Sequence, residues 1–315
     1  MKILVLGDSG LLGQAAVAWA AYNGSHNVLG ISSSPFAGSA CWGELRGQYQ
    51  HSVLSVPEQW DAYRRLTDSF KPEIVLNAAA LADLKDCEEN LFKAKRLNAE
   101  LPGLLAADCR ERGAGFMHVS TDQVFDGKKT LPYTEEDSAN PQHVYGKTKR
   151  DGEQAVLDLK SGALVIRTNI VGFRGRAGKP TFAEWICESL AASKPMTLFT
   201  DYYVSSVYVG DFVKNAFALA EKKLTGLWHA ASHDFVSKYE FGAVLAKELG
   251  FGLSQVQRGR LQDLNLIPPR PAFLAMSSAR AEQALGRKFF STGETLRALA
   301  LDFKLRQGEK NYAGH

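Results

Sequence analysis

Short apolar runs bounded by turn residues alternate along this chain with longer stretches of helical period. KILVL (2–6), NVLGIS (27–32), EIVLNA (73–78), GFMHVS (115–120), ALVIRT (163–168) and GLWHAA (226–231) read as buried strands. Between them, residues 11–24, 57–70, 88–112, 143–160 and 211–223 carry helical patterning. Continuous Val, Ile and Leu runs, instead of alternating ones, are what a parallel sheet covered on both faces requires. The pattern predicts an α/β fold, a doubly wound parallel sheet with a smaller C-terminal lobe. Two glycine-rich segments interrupt it: residues 32–50, longer than an ordinary connection, and GFRGRAGKP (172–180), where the regular alternation ends. The polar tail after about 306 is expected to fray.

Composition narrows the class without naming a function. The 315 residues are 45% hydrophobic and 23% charged with a formal net charge of +3, which suits a globular chain and offers no field that would predict nucleic acid or an anionic membrane as a partner. Residues 1–150 carry 16 Lys and Arg against 18 Asp and Glu, and the remainder 21 against 16. The basic surplus therefore lies in the second half, where an anionic small substrate would be met. Cys41, Cys87, Cys109 and Cys187 are far apart, and His118, His143, His229 and His233 show no ligand spacing, so neither a disulfide framework nor a metal site is expected. A reducing cytoplasm fits this usage. MKILVLGDSG is too short an apolar run for a signal sequence, and no stretch approaches the length of a membrane span.

The first strand runs directly into GDSGLLG, with Gly7, Gly10 and Gly13 at three-residue spacing, and then into a helix beginning at Leu11 and Leu12. That is the layout in which amides at a helix N-terminus receive the diphosphate of a dinucleotide; a merely structural tight turn is the alternative. Gly7 permits the turn, Gly10 lets the diphosphate approach the main chain, and Gly13 lets the helix lie close to the sheet. Asp8 must then point away, because a carboxylate repels a diphosphate. After the second strand stand Ser32, Ser33 and Ser34 in place of a carboxylate, so nothing there repels a 2′-phosphate. NADP(H) is the preferred cofactor and NAD(H) stays open, the nearest downstream arginine being Arg46. On this reading residues 1–171 form a dinucleotide-binding Rossmann domain and 172–315 mainly a substrate-binding lobe, with helix 211–223 and strand 226–231 returning to the first domain.

Tyr145 and Lys149 are four residues apart and share one helix face, where an ammonium favours the phenolate. Strand 115–120 runs into TDQVFDG, placing Thr121 at the carboxyl end of a central strand, where open α/β sheets bind ligands. Thr121 can polarise a carbonyl, Tyr145 protonate the developing alkoxide, and Lys149 hold the nicotinamide ribose while tuning Tyr145. Asp122, next in the chain, and Asn169, just past strand 163–168, are candidate substrate residues.

GDSGLLG, IVLNAAA, LNAE, HVSTDQVFDG, HVYGKTK and VIRTNIVG together resemble the extended short-chain dehydrogenase/reductases, and among them the dTDP-4-dehydrorhamnose reductase group, over nearly the whole chain. The resemblance implies a catalytic Thr121, Tyr145 and Lys149, and cofactor contacts from Asn77, Ala78, Ala79 and Asn98. It implies a reductase of a nucleotide-linked 4-keto-6-deoxy sugar. Dehydratases of this fold place Glu after the Thr-Asp pair; Gln123 stands here, and an amide takes no proton. Where the reductases commonly carry an aromatic after the Arg-Thr pair, this chain has Ile170; Leu84, Lys85 and Val53 also depart from the group's pattern. A nucleotide-sugar epimerase that retains its cofactor and a non-catalytic dinucleotide-binding regulatory subunit are the alternatives. For the substrate's diphosphate the candidates are Arg174, Arg176, Lys179, Arg258, Arg260 and Arg270, the last in a Pro-fixed loop resembling the group's Arg-Pro. A homodimer is left open.

Overall fold

The computed structural model describes residues 1–22, 26–34, 48–175 and 178–312; most of the 32–50 loop, with Cys41 and Arg46, and also Arg176 lie outside the described residues. In chain order the elements are β1 (Lys2–Leu6), α1 (Leu11–Tyr22), β2 (Asn27–Ser32), β3 (Gln48–Val53), α2 (Trp60–Phe70), β4 (Ile74–Asn77), α3 (Leu84–Glu89), α4 (Leu91–Lys95), a π turn (Arg96–Glu100), α5 (Leu101–Arg112), β5 (Gly115–Thr121), α6 (Val144–Asp158) and β6 (Leu164–Thr168). There follow β7 (Ile170–Val171), α7 (Phe182–Ala191), β8 (Met196–Phe199), β9 (Tyr203–Val204), β10 (Val207–Tyr208), α8 (Val209–Glu221), β11 (Gly226–His229), β12 (Val236–Ser237), α9 (Lys238–Leu249), β13 (Val256–Gly259), α10 (Ala279–Leu285) and α11 (Thr292–Tyr312).

Seven parallel strands form the central sheet in the order β11–β6–β5–β4–β1–β2–β3. Both faces are apolar because successive residues of each strand point to opposite sides. Ile3 and Val5 pack with α1 and α8 residues such as Val17 and Phe212, while Leu4 and Leu6 pack with Tyr63, Leu101 and Val156 of α2, α5 and α6. α8 and β11 come from the second half of the chain and complete this layer, β11 pairing with β6 from Gly226↔Leu164 to His229↔Arg167. A separate core joins α7, β8, α9 and α11 through Ile186, Leu198, Phe241 and Leu299, and forms the body of the smaller lobe. Among the described residues no helix is long and apolar enough to cross a membrane.

Three sequence expectations change. β3 was not foreseen, because QYQHSV is a polar edge strand with no apolar run to reveal it. The helix expected over 88–112 is broken: Pro102 has no N–H and its ring crowds the carbonyl four residues back, and the backbone opens there into the π turn that precedes α5. The tail expected to fray after 306 instead stays helical to Tyr312.

Candidate active site

The glycine turn lies at the carboxyl end of β1, and its glycines are required by close approach. Gly7 has φ +86°, and a Cβ there would stand 2.7 Å from Ala79 N. A Cβ on Gly13 would stand 2.1 Å from Gly7 O, so its role is to let α1 lie against its own turn, not against the sheet. Asp8 does point away: it is fully buried and accepts hydrogen bonds from Tyr49 Oη and His51 Nδ1, both at 2.7 Å. The space for it is the missing side chain of Gly30, whose Cβ would come within 1.9 Å of Asp8 Oδ2. The unforeseen strand β3 is thus what keeps the turn free of negative charge.

From this turn a cleft of about 510 Å³ runs over Gly7, Ser9, Gly10, Ser32, Ser33, Ser34, Ala78 and Ala79. It continues across Gly10, Ala78 and Ala80 into a larger cavity of about 740 Å³ that Leu11, Leu12, Thr121, Asp122, Tyr145, Lys149, Asn169, Arg174 and Arg270 line. The first turn of α1 opens onto it with amides that no intrahelical carbonyl satisfies. The open glycine cradle, the serines and these amides fit a dinucleotide. Lys93 and Arg96 also line the first cleft with Ser32–Ser34, as does Glu58, and Arg96 is paired with Glu100 at 2.7 Å.

At the far end the reacting groups come from β5 and α6. Asp122 is buried and receives hydrogen bonds from Thr121 Oγ1 at 3.0 Å, Gln123 Nε2 at 3.2 Å and Asn169 Nδ2 at 2.5 Å. Burial pushes its carboxyl up, and the bonds from Asn169, Thr121 and Gln123 pull it back. His143 caps α6: its Nδ1 accepts from Gly146 N at 3.1 Å, so Nε2 carries the proton and donates to Gln123 Oε1 at 3.1 Å. The cap of the helix that carries Tyr145 and Lys149 is therefore joined to Asp122 and Thr121 by one directed set of hydrogen bonds. Glu153, one turn beyond Lys149, holds a buried bidentate pair with Arg167 of β6 at 2.8 and 2.7 Å.

One expectation about this site is corrected. Lys149 Nζ donates to Val119 O at 2.6 Å, and the neighbouring phenol is pushed up, not down. Burial pushes the Tyr145 phenol up; a hydrogen bond with Thr121 opposes this and the Asp122 charge adds to it. Tyr145 is thus held as a neutral phenol. Lys149 is itself pushed down to about 8 by burial, against the favourable charge of Glu153.

Other sequence candidates take different places. Asn98 is fully buried and lines neither cavity; its amide is spent on both backbone groups of Leu81 and on Thr148 Oγ1, so it shapes the cleft wall through Leu81. Ser32 Oγ donates to Ser34 O at 2.8 Å and lines the first cleft. Lys179 pairs with Asp83, and Arg258 stacks on Tyr239 outside the cavity. Lys238 was missed: its ammonium lies 4.0 Å from the ring centre of Phe182, 5.6 Å from Tyr202 and 6.0 Å from Phe241, within the field of Asp122 and Arg270.

Comparison with known proteins fits this geometry. The model of the RmlD substrate binding domain matches residues 1–303. The chain belongs to this family. It is 31% identical over 307 residues to the probable low-salt glycan biosynthesis reductase Agl14 of Haloferax volcanii, covering 96% of this chain and 98% of the relative. It is also 31% identical over 290 residues to dTDP-4-dehydrorhamnose reductase of Mycobacterium tuberculosis, covering 88% and 85%. In fold it superposes on a dTDP-4-dehydrorhamnose reductase of Bacillus anthracis solved in complex with NADP, with a TM-score of 0.80, 19% identity and coverage of 96% and 99%.

Proposed function

We infer that this protein is an NADPH-dependent reductase acting on the 4-keto group of a nucleotide-linked 6-deoxy sugar. The observation that carries the reading is the meeting of Thr121, Tyr145 and Lys149 in one cavity continuous with the glycine turn, in a chain of the RmlD family. Bound along the cleft, the dinucleotide supplies the hydride. The absence of a carboxylate among Ser32–Ser34, with Lys93 on the same wall, favours the phosphorylated dinucleotide against the opposing charge of Glu58. Thr121 and Tyr145 hold the sugar carbonyl oxygen, and the Tyr145 hydroxyl gives it the proton that the developing alkoxide needs. Lys149, lining the same cavity, would hold the ribose. Arg270 and Arg174, which line the cavity, and Lys238, within the field of Asp122 and Arg270, supply positive charge for the substrate's diphosphate.

The chemistry balances with one hydride and one proton added to the carbonyl. Purified protein mixed with NADPH and a dTDP-linked 4-keto-6-deoxy sugar should oxidise one NADPH per sugar reduced, faster than with NADH. A retained-cofactor epimerase or a regulatory subunit would oxidise none, and that result would replace this reading.

A further inference from the structure

His118 is completely buried beneath Lys149, and the reaction outlined above makes no use of it. Among the described residues its two ring nitrogens have one hydrogen-bonding partner each: Asn77 Nδ2 lies 3.2 Å from Nδ1, and Lys149 Nζ lies 3.3 Å from Nε2. The Asn77 amide is oriented by its other end, because its Oδ1 accepts the Ala79 N–H at 3.2 Å and a backbone N–H can only donate. An amide nitrogen also only donates, so His118 Nδ1 must be the unprotonated nitrogen. The single proton of the neutral ring then sits on Nε2 and points at Lys149. An ammonium has only donors to offer there; a neutral amine has the lone pair that an N–H requires.

We propose that His118 is a positioning residue that sets the charge of Lys149: locked by Asn77 with its proton on Nε2, it favours the neutral amine. The groups around Lys149 divide cleanly. Val119 O accepts a hydrogen bond from either form. Glu153 on the same helix favours the ammonium, but Arg167 on β6 neutralises that carboxylate. Tyr145, one turn earlier, is held as a neutral phenol. Burial opposes charge on Lys149 and still more on His118, which is kept neutral and so retains its lock. Ionising Lys149 thus forces either an N–H against an N–H or a change of tautomer that sacrifices the Asn77 bond.

The importance of this charge rests on the reductase reading, but its test needs neither substrate nor dinucleotide. Nitrogen-15 NMR of histidine-labelled protein should show His118 protonated on Nε2 at neutral pH; a proton on Nδ1 overturns the proposal. The Lys149 side-chain titration, assigned against Lys149→Met, should move upward by about one pH unit, a tenfold change in its ionisation constant, in His118→Gln, whose amide can turn its oxygen to the ammonium. Asn77→Asp, which accepts from Nδ1 and reverses the tautomer, should move it the same way and shift the histidine proton to Nδ1. A midpoint unmoved by His118→Gln in folded protein also overturns the proposal, whether or not the protein reduces a sugar nucleotide.

Discussion

The two ends of the cleft present different kinds of surface. Near β1 and β2 the wall is main chain, glycine and short hydroxyl side chains, and it works because side chains are missing at Gly7, Gly13 and Gly30. Near β5 and α6 it is a set of polar side chains, Thr121, Asp122 and Lys149 buried and Tyr145 partly so, held by other polar groups. Damage at the first end is therefore steric and graded. At the second it leaves buried donors, acceptors or charges without partners, a larger loss.

The largest effect should come from Tyr145→Phe, which removes the proton donor and leaves the dinucleotide cleft intact. We expect kcat/KM to fall by about 10²–10⁴-fold with NADPH affinity nearly unchanged, measured by steady-state kinetics and titration. A near-normal rate would move the proton source elsewhere in the cavity. Next, Glu153→Leu strands the Arg167 guanidinium inside the sheet–helix layer. Urea unfolding should show a loss of about 3–5 kcal/mol; a loss below about 1 kcal/mol would place this pair with ordinary surface ion pairs.

At the glycine end, Gly30→Ala drives a methyl into the Asp8 carboxylate and away from its bonds to Tyr49 and His51. Stability should fall by about 1–3 kcal/mol and NADPH should bind about tenfold more weakly, near 1.4 kcal/mol, as the charge turns toward the diphosphate. Unchanged binding would show that Asp8 is not what keeps the turn receptive. The smallest effect is one of pH. His143 is held down to about 4, chiefly by burial, with Arg270 adding, so between pH 6.5 and 4 the unfolded chain binds a proton that the folded one refuses. Its contribution is thus lost as pH falls through that window, by about 1–2 kcal/mol between pH 7 and pH 5. Thermal unfolding at pH 7 and pH 5 should show less acid sensitivity in His143→Asn, which can still cap α6.

The same contrast explains what the sequence disclosed. Strand, turn and helix from Lys2 to Tyr22 are contiguous, so local pattern and glycine spacing were enough to place them. Thr121, Tyr145 and Lys149 were proposed from their motifs, but the bonds around them were not, since Asn77, Arg167 and Asn169 come from other segments, and His118, His143 and Glu153, although on β5 and α6 themselves, meet their partners only across the fold. Lys93 and Arg96 come to the Ser32–Ser34 pocket from beyond β3, α2, β4 and α3, outside any search of neighbouring residues. Lys238 looked like an ordinary residue at a helix start because Phe182, Tyr202 and Phe241 become its neighbours only in the folded lobe.

Helix α6 touches its surroundings with bare backbone at two heights: a Cβ on Gly146 would lie 2.2 Å from Gln123 O, and one on Gly152 would lie 2.1 Å from Asn98 O at the π turn. The helix is keyed into two slots about two turns apart. A slide of one residue, about 1.5 Å along the axis, would bring a side chain against a carbonyl at both slots at once. Tyr145 and Lys149 accordingly have no soft translational mode, and the motion left to them is rotation about their own side-chain bonds. The height of Tyr145 and Lys149 against the strand that carries Thr121 is thus fixed by two absent side chains, well away from the cavity.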